Sequence, residues 1–349
     1  MQVSKVEGAF AITELGTYAE PWAMAFAPGT AMLFITERAG TVKMEDLATG
    51  KIGTITGVPK VDYGGQGGLG DIAFLPSETA PTIKDRTIYL SWAEAGPNDT
   101  RGAAVGRGTL KCWVADECEI SGMEVIWRQT PKVTGRGHYS HRLAFSPDGK
   151  YLYIASGDRQ KMQPAQDPGS DLGKVIRLPI DAAGKPSGPA EQVSLGHRNI
   201  LSLQFDGQGR LWDLEHGPAG GDELNLVKPG RNYGWPLVSE GDHYSGEKIP
   251  RHSTRPDLAA PAISWNPVIA PGGMIFYSGK MWPEWQGQLL IGAMDPTALV
   301  RVRTDGEKAR EEARYPMDKR IRAVAQAPDG SLYVLEDGKG GRLLRLSRK

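Results

Sequence analysis

The amino-acid sequence predicts an all-β fold, a six-bladed β-propeller, and two observations carry this prediction. A hairpin pattern of a short apolar strand, a Pro or Asp-Gly turn and a second apolar-aromatic strand occurs six times, about every 50 to 70 residues, and repeats of that length are typical of propeller blades. The 45 glycines and 25 prolines among 349 residues indicate many turns and therefore many short strands. We expect a single domain over residues 1–349, although length alone would suggest two.

The six hairpins can be followed along the chain, and the third is the clearest. Its residues 143–145 lead into the turn 146–149 and then into the apolar-aromatic residues 151–154, which is the order expected of two antiparallel strands. A pair of β-sandwiches is the alternative architecture, but it would not account for six similar hairpins. The hairpins occupy residues 25–35, 73–90, 143–154, 203–212, 274–291 and 324–335.

The two ends of the chain are expected to close the ring of blades. Residues 9–12 have a strand-like composition and could complete the blade that residues 342–346 end. Few stretches have helical periodicity. The segment 307–314 is charged and short, and we expect a surface loop or one or two helical turns there.

Charge and hydropathy exclude some classes of partner. Forty-one basic residues balance forty-one acidic ones, which argues against nucleic acid or an anionic membrane as the main partner. The chain has no apolar run of eighteen residues, so no membrane span is expected. Residues 1–7 do not have the pattern of a signal peptide.

Two cysteines, Cys112 and Cys118, are separated by five residues. They could form a local disulfide across a hairpin if the compartment is oxidising, or they could be two buried free thiols. They are a poor zinc site, because no paired His or Cys lies nearby.

The most informative stretch combines Arg198 and Asn199 with the run of residues 215–223, which holds an imidazole and three carboxylates among glycines and a proline. Glycines allow the backbone to approach a ligand closely, and free backbone carbonyls are oxygen ligands suited to Ca²⁺. Arg198 would suit an anion. A cation beside an anion indicates a metal-assisted, negatively charged cofactor, whereas the alternative is a polar, glycine-rich surface loop.

A second candidate is the pair of His138 and Asp158, which lie before and after the third hairpin. A strand out and a strand back would return Asp158 towards His138. An aspartate that accepts one imidazole N–H leaves the other ring nitrogen free to act as a base. A lone histidine is more often an ordinary loop residue, but the paired aspartate favours the catalytic interpretation.

Two further motifs can place polar groups near a central ligand. Residues 65–70 match the dinucleotide fingerprint only loosely, and a strand rather than a helix follows them, so we reject a nicotinamide site. The glycines more plausibly bring Gln66 close to a ligand, or form a plain loop. Arg320 and Arg322 alternate on a strand and would share one face, where they could bind carboxylates or be solvated.

Together these residues resemble the soluble pyrroloquinoline-quinone-dependent glucose and aldose sugar dehydrogenases over most of the chain. Order and spacing carry the resemblance, since no single motif is specific. The resemblance implies a six-bladed propeller, in agreement with the repeat count. The motifs are residues 65–69, His138 with Arg142, residues 196–199, 215–218, 221–223 and 232–236, and Arg320 with Arg322.

The resemblance also implies a mechanism. His138, oriented by Asp158, would take the proton of the anomeric hydroxyl while a hydride passes from the sugar carbon to the quinone. Arg198 would stabilise the charge that develops on the quinone oxygen. The backbone carbonyls of Gly217 and Pro218 would hold Ca²⁺. The other expected cofactor contacts are Gln66, Asn199, Arg320 and Arg322, which suit the carboxylates of pyrroloquinoline quinone.

One position departs from the family pattern. Family members commonly carry Lys after the strand that resembles residues 289–294, and this chain has Asp295 there. An ionised Asp295 would repel an anionic cofactor rather than pair with it. We therefore expect an effect on cofactor affinity or on the bound pose.

The expected activity is oxidation of aldoses to lactones with pyrroloquinoline quinone and Ca²⁺. The expected partners are a small-molecule sugar and an external electron acceptor, in a periplasmic or secreted setting. A calcium-dependent propeller lactonase is the alternative enzyme, but it would want more carboxylate or Asn ligands at the axis and no arginine cluster. A non-catalytic binding propeller would have no use for the pair of His138 and Asp158.

Overall fold

Six β-sheets account for nearly all regular structure in the computed structural model, which describes residues 4–5, 7–114 and 117–349. The first strand of each blade contacts the first strand of the next blade, and the sixth blade contacts the first, so the sheets close into a ring. The described residues contain three short 3-10 turns and no α-helix. The predicted six-bladed β-propeller is confirmed.

Each blade is a sheet whose strands follow one another outward from the axis. Blade 1 consists of Pro21–Phe26, Met32–Glu37, Thr41–Asp46 and Lys51–Ile55, and blade 2 of Leu69–Phe74, Asp85–Ala95, Arg101–Val114 and Glu117–Arg128. Blade 3 consists of Ser140–Phe145, Tyr151–Ser156, Lys174–Pro179 and Glu191–Leu195, and blade 4 of Ile200–Phe205, Leu211–Glu215, Asp222–Val227 and Ile263–Trp265. Blade 5 consists of Pro271–Phe276, Leu289–Met294, Thr297–Asp305, Lys308–Pro316 and, in parallel at its outer edge, Ser4–Lys5. Blade 6 consists of Ile321–Gln326, Leu332–Glu336, Gly341–Ser347 and Ala11–Tyr18.

The sixth blade joins the two ends of the chain, as predicted. Its outer strand Ala11–Tyr18 pairs antiparallel with Gly341–Ser347, with Ile12 opposite Leu346. Just before this strand, Phe10 packs edge-to-face against Trp282, with ring centroids 5.8 Å apart. The N-terminal segment therefore closes the ring through both backbone pairing and aromatic packing.

Aromatic pairs between blades give the hairpin repeat its physical reason. At five of the six junctions, an aromatic residue on the second strand of one blade meets the phenylalanine that ends the first strand of the next. The centroids are 4.9 to 6.3 Å apart, the range in which tilted or edge-to-face rings attract. The pairs are Phe34–Phe74, Tyr89–Phe145, Tyr153–Phe205, Trp212–Phe276 and Tyr333–Phe26.

The expectation for residues 307–314 was wrong, because this segment lies in the strand Lys308–Pro316. Its side chains alternate, so Ala313 faces the core while charged neighbours face outward. The charges are paired along the sheet surface: Glu312 accepts hydrogen bonds from Arg303 at 3.1 Å and Arg310 at 2.7 Å. In the sequence, the many charged residues obscured the alternation of inward and outward side chains. Ion pairs between neighbouring strands stabilise this strand.

Cys112 and Cys118 form a disulfide between the two outer strands of blade 2. Of the two alternatives left by the sequence, the structure therefore contains the disulfide and not two free thiols. Residues 115–116, between the two cysteines in the sequence, and residues 1–3 and 6 of the opening segment that lacks a signal-peptide pattern, lie outside the described residues. Among the residues that are described, no helix is long and apolar enough to cross a membrane.

Candidate active site

Each first strand of the propeller begins with a bulge, and these bulges define one end of the ring. The pairing register of every first strand shifts near its start, which bends the strand and redirects its side chains. The shifts fall between Pro21 and Ala23, Leu69 and Ile72, Ser140 and Leu143, Ile200 and Ser202, Pro271 and Met274, and Ile321 and Ala323. Most of the predicted site residues lie in or immediately before these bulges.

His138 and Asp158 meet as the hairpin prediction required. The imidazole Nδ1 lies 2.7 Å from Asp158 Oδ1, and both side chains are buried. The backbone of both residues is held by two other predicted site residues. The His138 N–H donates to Gln66 Oε1 at 2.7 Å, and the Asp158 N–H donates to the Arg198 carbonyl at 2.9 Å. A neutral imidazole that donates from Nδ1 to Asp158 leaves Nε2 as a proton acceptor.

Burial lowers the pKa of His138, and the neighbouring Arg198 adds to this effect although the hydrogen bond with Asp158 opposes it. Burial alone would raise the pKa of Asp158, but the hydrogen bond and charge of His138 hold it below its usual range. His138 is therefore neutral, and Asp158 ionised, at neutral pH.

The loop before this hairpin has an unusual backbone. His138, Ser140 and His141 have φ angles of 48°, 65° and 73°, a region that residues with side chains adopt at a cost. The surrounding structure holds them there, since the buried Arg159 guanidinium donates to the carbonyls of Gly137 and Gly135 at 2.8 and 2.5 Å. His138 itself does not line either of the two cavities described next, although its chain neighbours Tyr139 and Ser140 line the larger one.

Four of the five predicted cofactor contacts line one cavity of about 200 Å³ at this end: Gln66, Asn199, Arg320 and Arg322. The two arginines reach the same carboxylate, with Arg320 Nε 2.9 Å and Arg322 Nε 2.7 Å from the oxygens of Asp337. Both therefore lie on the same side, but regular strand alternation is not the reason, because Arg320 precedes the strand Ile321–Gln326 and the pairing register shifts between Ile321 and Ala323. Two guanidiniums around one carboxylate leave an excess of positive charge.

Arg198, Gly217 and Pro218 line a smaller cavity beside the first, and His216 borders both. Arg198 Nη1 donates to the His216 carbonyl at 3.0 Å, while its Nε has no hydrogen-bond partner among the described residues. Its backbone N–H donates to Glu215 Oε2 at 2.6 Å. The structure thus brings together the arginine and the two carbonyls, which are nineteen and twenty residues away from it in the sequence.

The turn at Gly217 is fixed by Asp222. One carboxylate oxygen accepts the Gly217 N–H at 2.9 Å, and the other accepts the N–H groups of Ile269 and Ala270. Burial raises the pKa of Asp222 to about 6. A Cβ at Gly217 would lie 2.2 Å from the Gly220 carbonyl oxygen, so the turn requires glycine. No hydrogen bond within the described part of the chain ends on the carbonyl oxygen of Gly217 or Pro218.

Sequence reasoning missed several residues of the larger cavity, and Arg38 and His141 are the two that bear most on its chemistry. Arg38 donates to the carbonyls of Gly65 and Gly67, and an isolated arginine after a strand carries no signal of its own. His141 is stacked on Tyr139 and buried, which lowers its pKa to about 3, and neither ring nitrogen has a partner in the described structure. The sequence shows that His141 follows His138 by three residues. The direction of the His141 side chain, however, depends on the positive φ angle of its backbone, which the sequence does not reveal.

Asp295 has a different environment from the one that the sequence suggested. It is exposed, and although the preceding Met294 lines the cavity, Asp295 does not. Solvent screens a charge in that position. Its predicted repulsion of an anionic cofactor remains a prediction.

A profile of the family described as Glucose / Sorbosone dehydrogenase matches residues 18–345. Aldose sugar dehydrogenase YliI of Escherichia coli (strain K12) is 37% identical in an alignment 343 residues long that covers 94% of this chain and 90% of that protein. Quinoprotein glucose dehydrogenase B of Acinetobacter calcoaceticus is 25% identical in an alignment 407 residues long that covers 92% of this chain and 84% of that protein.

Solved structures agree with these relatives. A crystal structure of a glucose dehydrogenase superimposes with a TM-score of 0.87 at 37% identity, covering 97% of this chain and 100% of that one. The PQQ-bound form of an aldose sugar dehydrogenase from Streptomyces coelicolor superimposes with a TM-score of 0.75 at 25% identity, covering 97% and 98%. By sequence and by fold, this chain belongs to the glucose/sorbosone dehydrogenase family.

Proposed function

We propose that this protein oxidises the anomeric carbon of aldose sugars to a lactone, with pyrroloquinoline quinone and Ca²⁺ as cofactors. Membership of its family makes it a quinone-dependent sugar dehydrogenase. The observation that carries the finer proposal is the buried pair of His138 and Asp158 at the end of the propeller that also holds an arginine-lined cavity.

The cavity fits an anionic, planar cofactor. Arg38 is paired with Glu20 at 2.8 Å, and Arg320 and Arg322 share Asp337, so the three guanidiniums exceed the two carboxylates by one positive charge. His141 contributes buried polar atoms that no described residue satisfies. Guanidiniums and unsatisfied polar groups suit a ligand with several carboxylates and carbonyls. When bound there, pyrroloquinoline quinone would supply the acceptor for the hydride that leaves the anomeric carbon.

The carbonyl oxygens of Gly217 and Pro218 support the calcium part of the proposal. They are hard oxygen donors without a hydrogen-bond donor among the described residues, next to the cationic Arg198. Such oxygens would hold Ca²⁺ in a position to polarise the neighbouring cofactor.

His138 acts on the sugar as a general base. Its Nε2 takes the proton of the anomeric hydroxyl while Asp158, bound to Nδ1, stabilises the imidazolium that forms. Arg198 places its guanidinium beside the two carbonyls, where it stabilises negative charge that develops during the reaction. Gln66 holds the His138 backbone through its side-chain oxygen, so the base is fixed before the sugar arrives.

The proposed partners are the sugar and an external electron acceptor. The proposed location is periplasmic or secreted, and the disulfide between Cys112 and Cys118 supports an oxidising compartment. A lactonase remains the less favoured candidate, because arginines and no carboxylate line the larger cavity in the part of the chain that the structure describes.

The proposal is tested with purified protein, pyrroloquinoline quinone, Ca²⁺, a panel of aldoses and a redox dye. We expect the dye to bleach only when both cofactors and an aldose are present, and the product to be the lactone by mass spectrometry. Absence of bleaching together with absence of cofactor binding by equilibrium dialysis would reject the proposal. Hydrolysis of lactones by the same sample would support the lactonase.

A further inference from the structure

Trp235 links the proposed base pair to Arg198. Its indole Nε1 donates to Asp158 Oδ2 at 2.8 Å, and the Arg198 guanidinium lies over its ring, 5.3 Å from the ring centroid. The side chain is 7% exposed. One residue, in the long loop of blade 4, therefore contacts two groups of the site from two other segments.

The indole N–H completes the hydrogen bonding of Asp158. Oδ1 is shared by His138 Nδ1 at 2.7 Å and the Gln160 N–H at 2.9 Å, whereas Trp235 is the only donor to Oδ2 in the described structure. A buried carboxylate oxygen that loses its only donor is costly. Without Trp235, the negative charge of Asp158 would be balanced mainly by His138.

Trp235 is held in place independently of any ligand. Its backbone N–H donates to the Gly196 carbonyl at 2.9 Å, and its own carbonyl accepts Gln166 Nε2 at 2.7 Å. The ring packs with the buried Ala165 and Ile249. Since Gly196 lies two residues before Arg198, this anchoring fixes the indole against the segment that carries the arginine.

We propose that Trp235 is a positioning residue of the active site. Its indole N–H orients Asp158 and reduces the negative charge that Asp158 presents to His138, and its ring face packs against the guanidinium of Arg198. The assignment of His138 as the base rests on the proposed function. The contacts of Trp235 with Asp158 and Arg198, and their effect on the ionisation of His138, do not rest on it.

The proposal predicts the direction in which the pKa of His138 changes when Trp235 is replaced. Loss of the indole N–H leaves Asp158 a stronger partner for the imidazolium, so the pKa of His138 rises. Arg159, Arg198 and His216 also act on His138, but Trp235→Phe retains an aromatic face under Arg198 and leaves their charges in place. We expect the pKa of His138 to rise by about half to one pH unit in this variant.

The measurement is an NMR titration of the histidine rings in the protein without added cofactor. Trp212→Phe is a matched control, because Trp212 is fully buried and its Nε1 donates to Asp206 Oδ2 at 2.9 Å away from the site. We expect both variants to be less stable, and only Trp235→Phe to shift His138. In the loaded enzyme, the acid limb of kcat/KM should move up by the same amount, with kcat about tenfold lower and KM less affected.

A second variant and a wild-type measurement complete the test. Trp235→Leu removes the ring face as well, and should lower kcat further than Trp235→Phe. If Trp235→Phe folds and His138 titrates as in the wild type, the inference is wrong. If the variant does not fold, the ¹⁵N indole resonance of Trp235 in the wild type decides, because it should move with the ionisation of His138, and a constant resonance contradicts the inference. A shifted His138 in a protein that oxidises no sugar would reject the proposed function and retain the role of Trp235.

Discussion

At the scale of single residues, the candidate site depends on a few buried polar contacts. His138 is held through its ring by Asp158 and through its backbone by Gln66. Arg320 and Arg322 are oriented by one shared carboxylate, that of Asp337. Each contact fixes a group in place before a ligand binds, which is what lowers the cost of reaching a transition state.

Removal of the proposed base should separate chemistry from binding. In His138→Gln, we expect kcat to fall roughly a hundredfold to ten-thousandfold, because proton transfer by a positioned base contributes about that much. Binding of pyrroloquinoline quinone, measured by equilibrium dialysis, should be unchanged. Turnover at the wild-type rate would disprove the role of His138.

The ionisation of His138 predicts the pH dependence of the reaction. A base must be neutral to accept a proton, so kcat/KM falls as the pH drops through the pKa of His138. Burial lowers this pKa, and we therefore expect the acid limb to lie below the ordinary histidine range. A pH profile of kcat/KM measures it, and an acid limb above that range would contradict the prediction.

The arginine-lined cavity predicts a loss of cofactor affinity in Arg322→Gln. A hydrogen bond to a charged group is worth about 1.5 to 3 kcal/mol, so the Kd for pyrroloquinoline quinone should rise about 10- to 100-fold. Arg303→Gln is the control, since Arg303 pairs with Glu312 on the outer surface of blade 5. Equal affinities of the two variants would place the cofactor elsewhere.

At the scale of elements, the repeated hairpin does two tasks at its two ends. The phenylalanine at the end of each first strand packs against the preceding blade at five junctions. A bulge at the beginning of each first strand shifts the pairing register, and most of the candidate site residues lie in or just before these bulges. Packing is thus separated from the site, which allows the loops before the strands to vary without disturbing the core.

The disulfide in the outer hairpin of blade 2 should contribute modestly to stability. Linking Cys112 to Cys118 closes a short loop, and chain entropy alone then gives about 2 kcal/mol. Urea denaturation of Cys112→Ser/Cys118→Ala should show a loss of up to about this size. The wild type under reducing conditions is the control for packing, and an unchanged midpoint in both samples would show that the bridge does not stabilise the fold.

At the scale of the whole molecule, the ring is closed by a strand from the N-terminal part of the chain. Ala11–Tyr18 supplies the outer strand of a blade whose other three strands come from the C-terminal part. Tyr18 also donates a hydrogen bond to Glu45 of blade 1. Because every blade packs on two neighbours, we propose that residues 1–349 unfold as a single domain.

Deletion of residues 1–18 tests this closure. The truncated chain loses the paired strand and the contact of Phe10 with Trp282, and we expect Tm to fall by more than about 10 °C. Deletion of residues 1–8, which removes the two-residue edge strand Ser4–Lys5 of blade 5 but retains Ala11–Tyr18 and Phe10, should have a small effect. Calorimetry measures both, and equal Tm values in the two truncations would show that the strand does not secure the ring.

The sequence by itself determined the number of blades, because each hairpin is a local pattern of apolar residues and turns. It also predicted that Asp158 returns to His138, since a hairpin brings residues on either side of it together. It failed at residues 307–314, where charges masked a strand supported by its neighbour. Only the tertiary structure decided that Arg38 and His141 face the cavity, that Asp295 does not, and that Trp235 joins Asp158 to Arg198. These contacts arise when the ring closes and brings distant loops to one axis, and no local pattern encodes them.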